Sequence, residues 1–290
     1  RVPAMIRCAA AILSFTTLFE VASAAPPAKG LTFDSARVVN LSSRTLDADV
    51  PDAIVVVLAA EAAAAIAAAP ALAEGDPALP FSSDDVRAEA ALIDADRGLV
   101  ARDGGTLVVT PAHGEPLRFV DYTIKATRNA DGDGTRHRYL GRVGAARLAH
   151  VEVAFEHDAP GAFLIGAAGG KVAFVHKGGD VTALSPQGRR IAVMNTLNTP
   201  AVVTIADLDE EGPRLALACR TRERDAKVLV TAKGWRGEEA FDVVLTRRDV
   251  KDAAPLALRL ERVDSHWRVA TTDVDAPAKF GGFTCREAKR

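Results

Sequence analysis

From Thr106 to Thr271 the chain is written in short runs where apolar and polar side chains alternate, cut by Gly and Pro. Val151 and Val153 alternate with Glu152 and Ala154, and Leu256, Leu258 and Leu260 alternate with Arg259 and Glu261. A period of two is the strand period, because successive side chains leave a strand on opposite faces. The pattern predicts strands at 106–110, 117–125, 137–143, 150–156, 162–166, 171–176, 181–184, 190–195, 202–207, 214–220, 227–232, 240–246, 256–262 and 267–271. The breaks between them carry turn formers: His113-Gly114, Asp158-Ala159-Pro160-Gly161, Gly169-Gly170, Gly178-Gly179, Glu211-Gly212-Pro213 and Lys233-Gly234. Many short, evenly spaced strands with such turns argue for sequential antiparallel sheet in a propeller, sandwich or barrel.

Residues 181–209 are the clearest unit. The turn Ser185-Pro186-Gln187-Gly188 joins two strands; Pro186 presets φ at the first central position, and Gly188 frees the backbone to start the next strand. Ile191 and Val193, then Val203 and Ile205, fall at spacing two, so each run is expected to have one apolar face.

This unit resembles the blade repeat of TolB-like and WD40-like propellers, where a Ser-Pro-Asp-Gly turn leads into a strand and the next strand ends in an acidic turn. Gln187 stands where that family carries Asp. The wider order is Tyr139-Leu140-Gly141, the hairpin at 150–171, the Ser-Pro turn, Gly234-Trp235 and Trp267-Arg268-Val269. That order is similar to uncharacterised exported bacterial proteins of this kind. The resemblance spans about residues 100–271 and implies a secreted, mainly β protein: a propeller or partial propeller of antiparallel sheets, with a short helical N-terminal segment. The strand-rich run holds about four blades at 40–45 residues each, few for a closed ring.

The N-terminus reads as an export signal. Arg7 supplies the positive start, residues 9–19 (AAAILSFTTLF) the apolar stretch, and Ala22-Ser23-Ala24 a small-residue cleavage site. The apolar run is too short for a comfortable membrane span. The expected divisions are therefore a signal peptide at 1–24, an Ala-rich segment with short helices at 25–100, and an antiparallel β domain at 101–290. A periplasmic or secreted bacterial location follows. Removing the signal takes Arg1, Arg7 and Glu20 from the 36 basic and 38 acidic residues, leaving 34 and 37, a net charge of −3. No basic cluster stands out, so nucleic acid is not an expected partner.

Within 25–100, Ile54 to Val57 can start a strand, and the alanines from Leu58 favour helix until Pro70. Glu61 and the low hydrophobicity of Ala argue against a second membrane span there. Residues 82–95 read as a short helix capped by Ser83 or Asp84, with Val86, Ala90 and Ile93 recurring at helical spacing.

Three groups of residues carry chemistry. Asn129, Asp131 and Asp133, with Gly134 sixth in the run, match the start of a calcium loop, since oxygen side chains at alternate positions converge on one point. Leu140 occupies the twelfth position, which should be a bidentate Glu, and strands flank the loop; a solvated hairpin of turn formers fits equally. The Asp-rich run 205–212 is a fainter match to a calcium-binding propeller loop. Cys219 and Cys285 are the two cysteines left after the signal and can form one disulfide in an oxidising compartment. The six histidines include no His-x-x-x-His pair, and no Gly-x-Ser-x-Gly elbow or phosphate loop occurs. Trp235 and Trp267 are expected to pack in the core or at a blade edge. The expectation is an exported, non-catalytic β-propeller-like protein without a cofactor other than possible calcium, binding a protein or cell-envelope component. The alternative is a periplasmic hydrolase-like enzyme whose site is assembled from distant His and carboxylate residues.

Overall fold

The computed structural model describes residues 31–33, 55–57, 83–123, 134–155, 161–176, 181–195, 201–222, 227–271 and 279–288. The export signal, the Ala-rich run after Val57 and the expected calcium ligands Asn129, Asp131 and Asp133 lie outside them.

The fold is mainly β: antiparallel sheets in a partial propeller-like arrangement, none closed into a barrel. Four sheets follow one another along the chain. The first contains β1 (Leu31–Phe33), β3 (Val100–Asp103), β4 (Thr106–Val109) and β5 (Leu117–Val120), in the order β1-β5-β4-β3. The second contains β2 (Val55–Val57), β6 (Tyr122–Thr123), β7 (Gly134–Val143), β8 (Leu148–Phe155), β9 (Gly161–Ile165) and β10 (Val172–His176), in the order β2-β10-β9-β8-β7-β6. The third contains β11 (Val181–Leu184), β12 (Arg190–Asn195), β13 (Val202–Asp209), β14 (Gly212–Arg220) and, returning from the C-terminus, β19 (Thr284–Glu287) beside β14. The fourth is a plain meander of β15 (Val228–Arg236), β16 (Ala240–Arg247), β17 (Leu256–Val263) and β18 (His266–Ala270). Each sheet is thus a run of consecutive hairpins, and the first three gain a strand from near a chain end. The pairing of β1 with β5 is parallel.

The sheets pack face to face in chain order. One core joins the first and second sheets through Leu107, Phe119, Val151, Phe163 and Phe174. A second joins the second and third through Leu148, Leu164, Val175, Ile191, Val193 and Leu208. A third joins the third and fourth through Ala192, Met194, Ile205, Leu217, Phe241 and Leu260. The two inner sheets therefore bury both faces. This corrects the expectation of one apolar face per run at 181–209: Ile191 and Val193 face the second sheet, while Ala192 and Met194 face the fourth. Antiparallel partners share a face, so Ile205 follows Ala192 and Ala206 follows Ile191. A bulge opposite Ile205 and Ala206 leaves Ala216 as an extra residue in β14. It resets the alternation, so Leu217 and Cys219 enter the third core while Leu215 stays outside it.

The fourth sheet alone shows the expected one-sided pattern. Phe241, Val243 and Leu245 are buried, and Asp242 and Arg259 face outward as an ion pair at 2.8 Å.

The described helix, α1 (Ser83–Ala95), carries Asp84 and Asp85 in its first turn, where the helix dipole favours negative charge. Of the three apolar residues at helical spacing, Ile93 alone turns inward. Val86 and Ala90 are exposed, and Glu89, Leu92, Ile93 and Asp96 turn inward at the spacing of one helical stripe.

Candidate functional site

Two polar clusters stand out. The first lies between α1 and the edge of β7. Past Thr135 the short β6 no longer pairs with β7, which leaves backbone N–H groups without a strand partner. Side chains supply it. Asp121 Oδ1 accepts from the His137 N–H at 2.7 Å, and Glu89 Oε1 accepts from the Tyr139 N–H at 2.7 Å. Arg102 donates to the His137 carbonyl at 2.6 Å and bridges Glu89 and Asp121 at 2.8 and 3.1 Å. The two carboxylates and the guanidinium together replace a neighbouring strand at this edge.

His137 Nδ1 lies 2.9 Å from Asp121 Oδ1, the pairing of a general base with the acid that orients it. Here the ring is 1 % exposed and tilted against Phe119 at 5.4 Å, so it has no access to a substrate. Burial lowers the His137 pKa, with Asp121 opposing. Further along, Tyr139 donates to Asp96 at 2.6 Å, and Arg142 meets the same carboxylate at 2.6 Å. Burial pushes the Asp96 carboxyl up, but these two partners outweigh it and hold it below the usual value. This cluster is committed to joining helix and sheet.

The second cluster surrounds the Ser-Pro-Gln-Gly turn and the junction of the third and fourth sheets. Ser185 is buried; its Oγ accepts from the N–H groups of Arg189 and Arg190 at 3.1 and 3.0 Å and donates to Glu238 Oε2 at 2.7 Å. The other Glu238 oxygen accepts from the Gln187 N–H. The acid that serves this turn is thus supplied by the β15–β16 turn of the next sheet. On its other side the turn meets the β7–β8 turn. Ala145 donates to the Gly188 carbonyl at 2.8 Å, and a Cβ on Gly188 would stand 2.8 Å from the Ala145 nitrogen. With φ at 65° as well, only Gly fits this close approach. One turn therefore ties three sheets together.

Arg190 runs from this turn into the junction. Its Nε donates to Asp207 Oδ1 at 2.8 Å, its Nη1 to Glu239 Oε1 at 3.0 Å, and its guanidinium lies 5.8 Å from the Trp267 ring centre. Beyond it opens a cleft of about 140 Å³, lined by Asp207, Arg214, Leu215, Arg262, Trp267 and Glu287 among others. Arg214 approaches Asp207 Oδ2 only to 3.6 Å, and Arg262 approaches Glu239 Oε2 only to 4.0 Å. Both distances exceed a hydrogen bond. Arg190 has taken the short bonds to both acids. Glu287 caps the neighbouring edge, accepting from the Trp267 N–H at 2.9 Å and lying 3.0 Å from His266 Nδ1.

Cys219 and Cys285 are directly opposed in the β14–β19 register and joined by a disulfide, so the strand carrying Glu287 is covalently fastened to the third sheet. Trp235 packs on Phe241 at 5.1 Å and donates to the Ala183 carbonyl at 3.0 Å, while Trp267 combines core packing with a place on the cleft wall. Among the described residues no group of three His, Cys, Asp or Glu side chains could hold a metal ion. No described helix is long and apolar enough to cross a membrane.

The molecule belongs to the class of stacked, partial propeller-like β proteins with a polar cleft between its last two sheets. No family model, curated protein or solved structure matches the chain.

Proposed function

We propose that this is an exported, non-catalytic β-propeller-like protein of the TolB or WD40 kind, and that it binds a protein or cell-envelope component in the cleft between its third and fourth sheets. One observation carries this reading. In the cluster at α1 the carboxylates and guanidiniums bond one another and backbone groups, with Arg102 Nε buried without a partner. In the cleft the guanidiniums of exposed Arg214 and half-buried Arg262 make only long ion contacts, at 3.6 and 4.0 Å, beside an aromatic ring. Arginine and tryptophan together are the residues that most often anchor an interface.

The hydrolase-like alternative would need a His and an acid that can reach substrate. The buried His137–Asp121 pair does not offer that, so this alternative would have to use the exposed His266–Glu287 pair, 3.0 Å apart at the cleft.

A photo-crosslinking amino acid placed at Ser265 on the cleft, and at Val86 on the exposed side of α1, tests the proposal in cells that export the protein. A discrete adduct from Ser265 and none from Val86 is expected. Equal adducts from both, or none from either, would overturn it.

A further inference from the structure

The cleft also indicates the chemistry of what it holds, an inference that rests on the binding role proposed above. Three guanidiniums, those of Arg190, Arg214 and Arg262, meet two acids, Asp207 and Glu239. Arg190 is bonded to both acids at 2.8 and 3.0 Å, which leaves the other two cations at 3.6 and 4.0 Å. The third acid at the cleft, Glu287, is turned to the edge of β18, where it accepts from the Trp267 N–H and faces His266. Arg214 and Arg262 are thus held only by long ion contacts to Asp207 Oδ2 and Glu239 Oε2, which a better-placed carboxylate can replace, and both forks line one small space. Leu215, Ala216 and Trp267 form the apolar part of the same wall.

We infer that the cleft takes a carboxylate on a small apolar group, its oxygens held by Arg214 and Arg262 and its carbon skeleton against Trp267 and Leu215. A carboxylate matches the guanidinium fork in shape and gives charge-assisted hydrogen bonds, stronger than those to a neutral oxygen. The volume of about 140 Å³ is below that of ordinary ligand pockets and suits one short or single-ring acid, or the last residue of a peptide chain. Lysine would not serve equally well at either position, because it lacks the fork.

Ligand-observed NMR on the full chain tests this with propionate, isobutyrate and phenylacetate, each beside its primary amide. A tripeptide ending in Leu, with a free or an amidated C-terminus, is added as a separate arm. The acids are expected to bind and the amides to bind at least about tenfold more weakly. R214Q and R262Q should each lose about tenfold, with the fold checked by circular dichroism. Raised salt should weaken the acids and leave the amides unchanged. Binding of the tripeptide acid but not the small acids assigns the source as a chain end; the reverse assigns it as a free metabolite. Equal binding of acid and amide overturns the inference, as does binding unchanged in the folded R214Q R262Q double variant, or no binding by any acid. If the acids fail while the Ser265 crosslink forms, the ligand class falls and the binding role stands.

Discussion

Asp121 Oδ1 accepts both the backbone N–H of His137, at 2.7 Å, and lies 2.9 Å from the Nδ1 of the same residue's ring. One carboxylate oxygen thus closes an open strand edge and fixes the side chain that would otherwise be free to turn. Its second oxygen holds Arg102 at 3.1 Å.

Removing that carboxylate should therefore be costly. D121A leaves Arg102 with Glu89 and the His137 carbonyl and strands a buried N–H. The expected loss is about 3–5 kcal/mol, as when one partner of a buried ion pair is deleted. Urea unfolding followed by circular dichroism measures it. A loss under about 1 kcal/mol would mean that water or another donor-acceptor pair already serves this edge.

The same site gives stability a pH dependence. Burial holds the His137 pKa below its ordinary value of 6.5, so the unfolded chain takes up this proton first. Stability rises with pH wherever the unfolded state binds more protons. The contribution is therefore complete above about pH 6.5 and is lost as the pH falls through 6.5 toward the folded-state value. The expected slope is at most about 1.4 kcal/mol per pH unit, and it should disappear in H137N. Unfolding midpoints at pH 7.5, 6.5 and 5.5 check this. An unchanged slope in H137N would assign it to another group.

The Ser185 turn depends on an acid from the next sheet, and this predicts the response to two substitutions. S185A removes two accepted bonds and one donated bond from a buried hydroxyl and should cost about 1–3 kcal/mol. Placing an acid within the turn itself with Q187D should not stabilise the protein. It places a second carboxylate beside Glu238, which already serves the Gln187 N–H, and should cost up to about 1 kcal/mol, less at high salt. Thermal melts of both variants test this. A stabilised Q187D would show that the turn acts alone.

How much of this was legible in the residues depends on range. The strand runs, the Ser-Pro-Gln-Gly turn and the extent of α1 follow from local rules, because alternation, Pro186 and Gly188 act within a few residues. The stacking of sheets was hidden by alanine. Ala192 and Ala206 fill second faces without raising the hydrophobicity of their runs, so the buried sheets read as one-sided. On the inner face of α1, Glu89 and Asp96 have the sequence character of solvent-facing residues, whereas they serve backbone and side-chain donors on β7. The strands β3 and β19 are short and polar and show no clear alternation. The pairs Ser185–Glu238 and His137–Asp121 are set by topology across 53 and 16 positions and leave no local mark.

The disulfide predicts a large effect from a single bond. It closes 66 residues and pins β19, so reduction or C285S should lower stability by about 4 kcal/mol on chain-entropy grounds. Because β19 carries Glu287, faster amide exchange at Trp267 should follow. Hydrogen exchange with and without reductant measures both. Unchanged exchange at Trp267 would show that β19 holds its place without the bond.

The central claim is that the cleft beside Trp267 is where this molecule meets its ligand, and its two tryptophans provide a direct test. With both replaced by 5-fluorotryptophan, and the signals assigned through W235F, a fluorine NMR titration with phenylacetate reads the two sites at once. The account predicts that the Trp267 resonance shifts saturably while the Trp235 resonance, held against Phe241 inside the fourth sheet, stays in place. A stationary Trp267 signal, or equal movement of both, would contradict it.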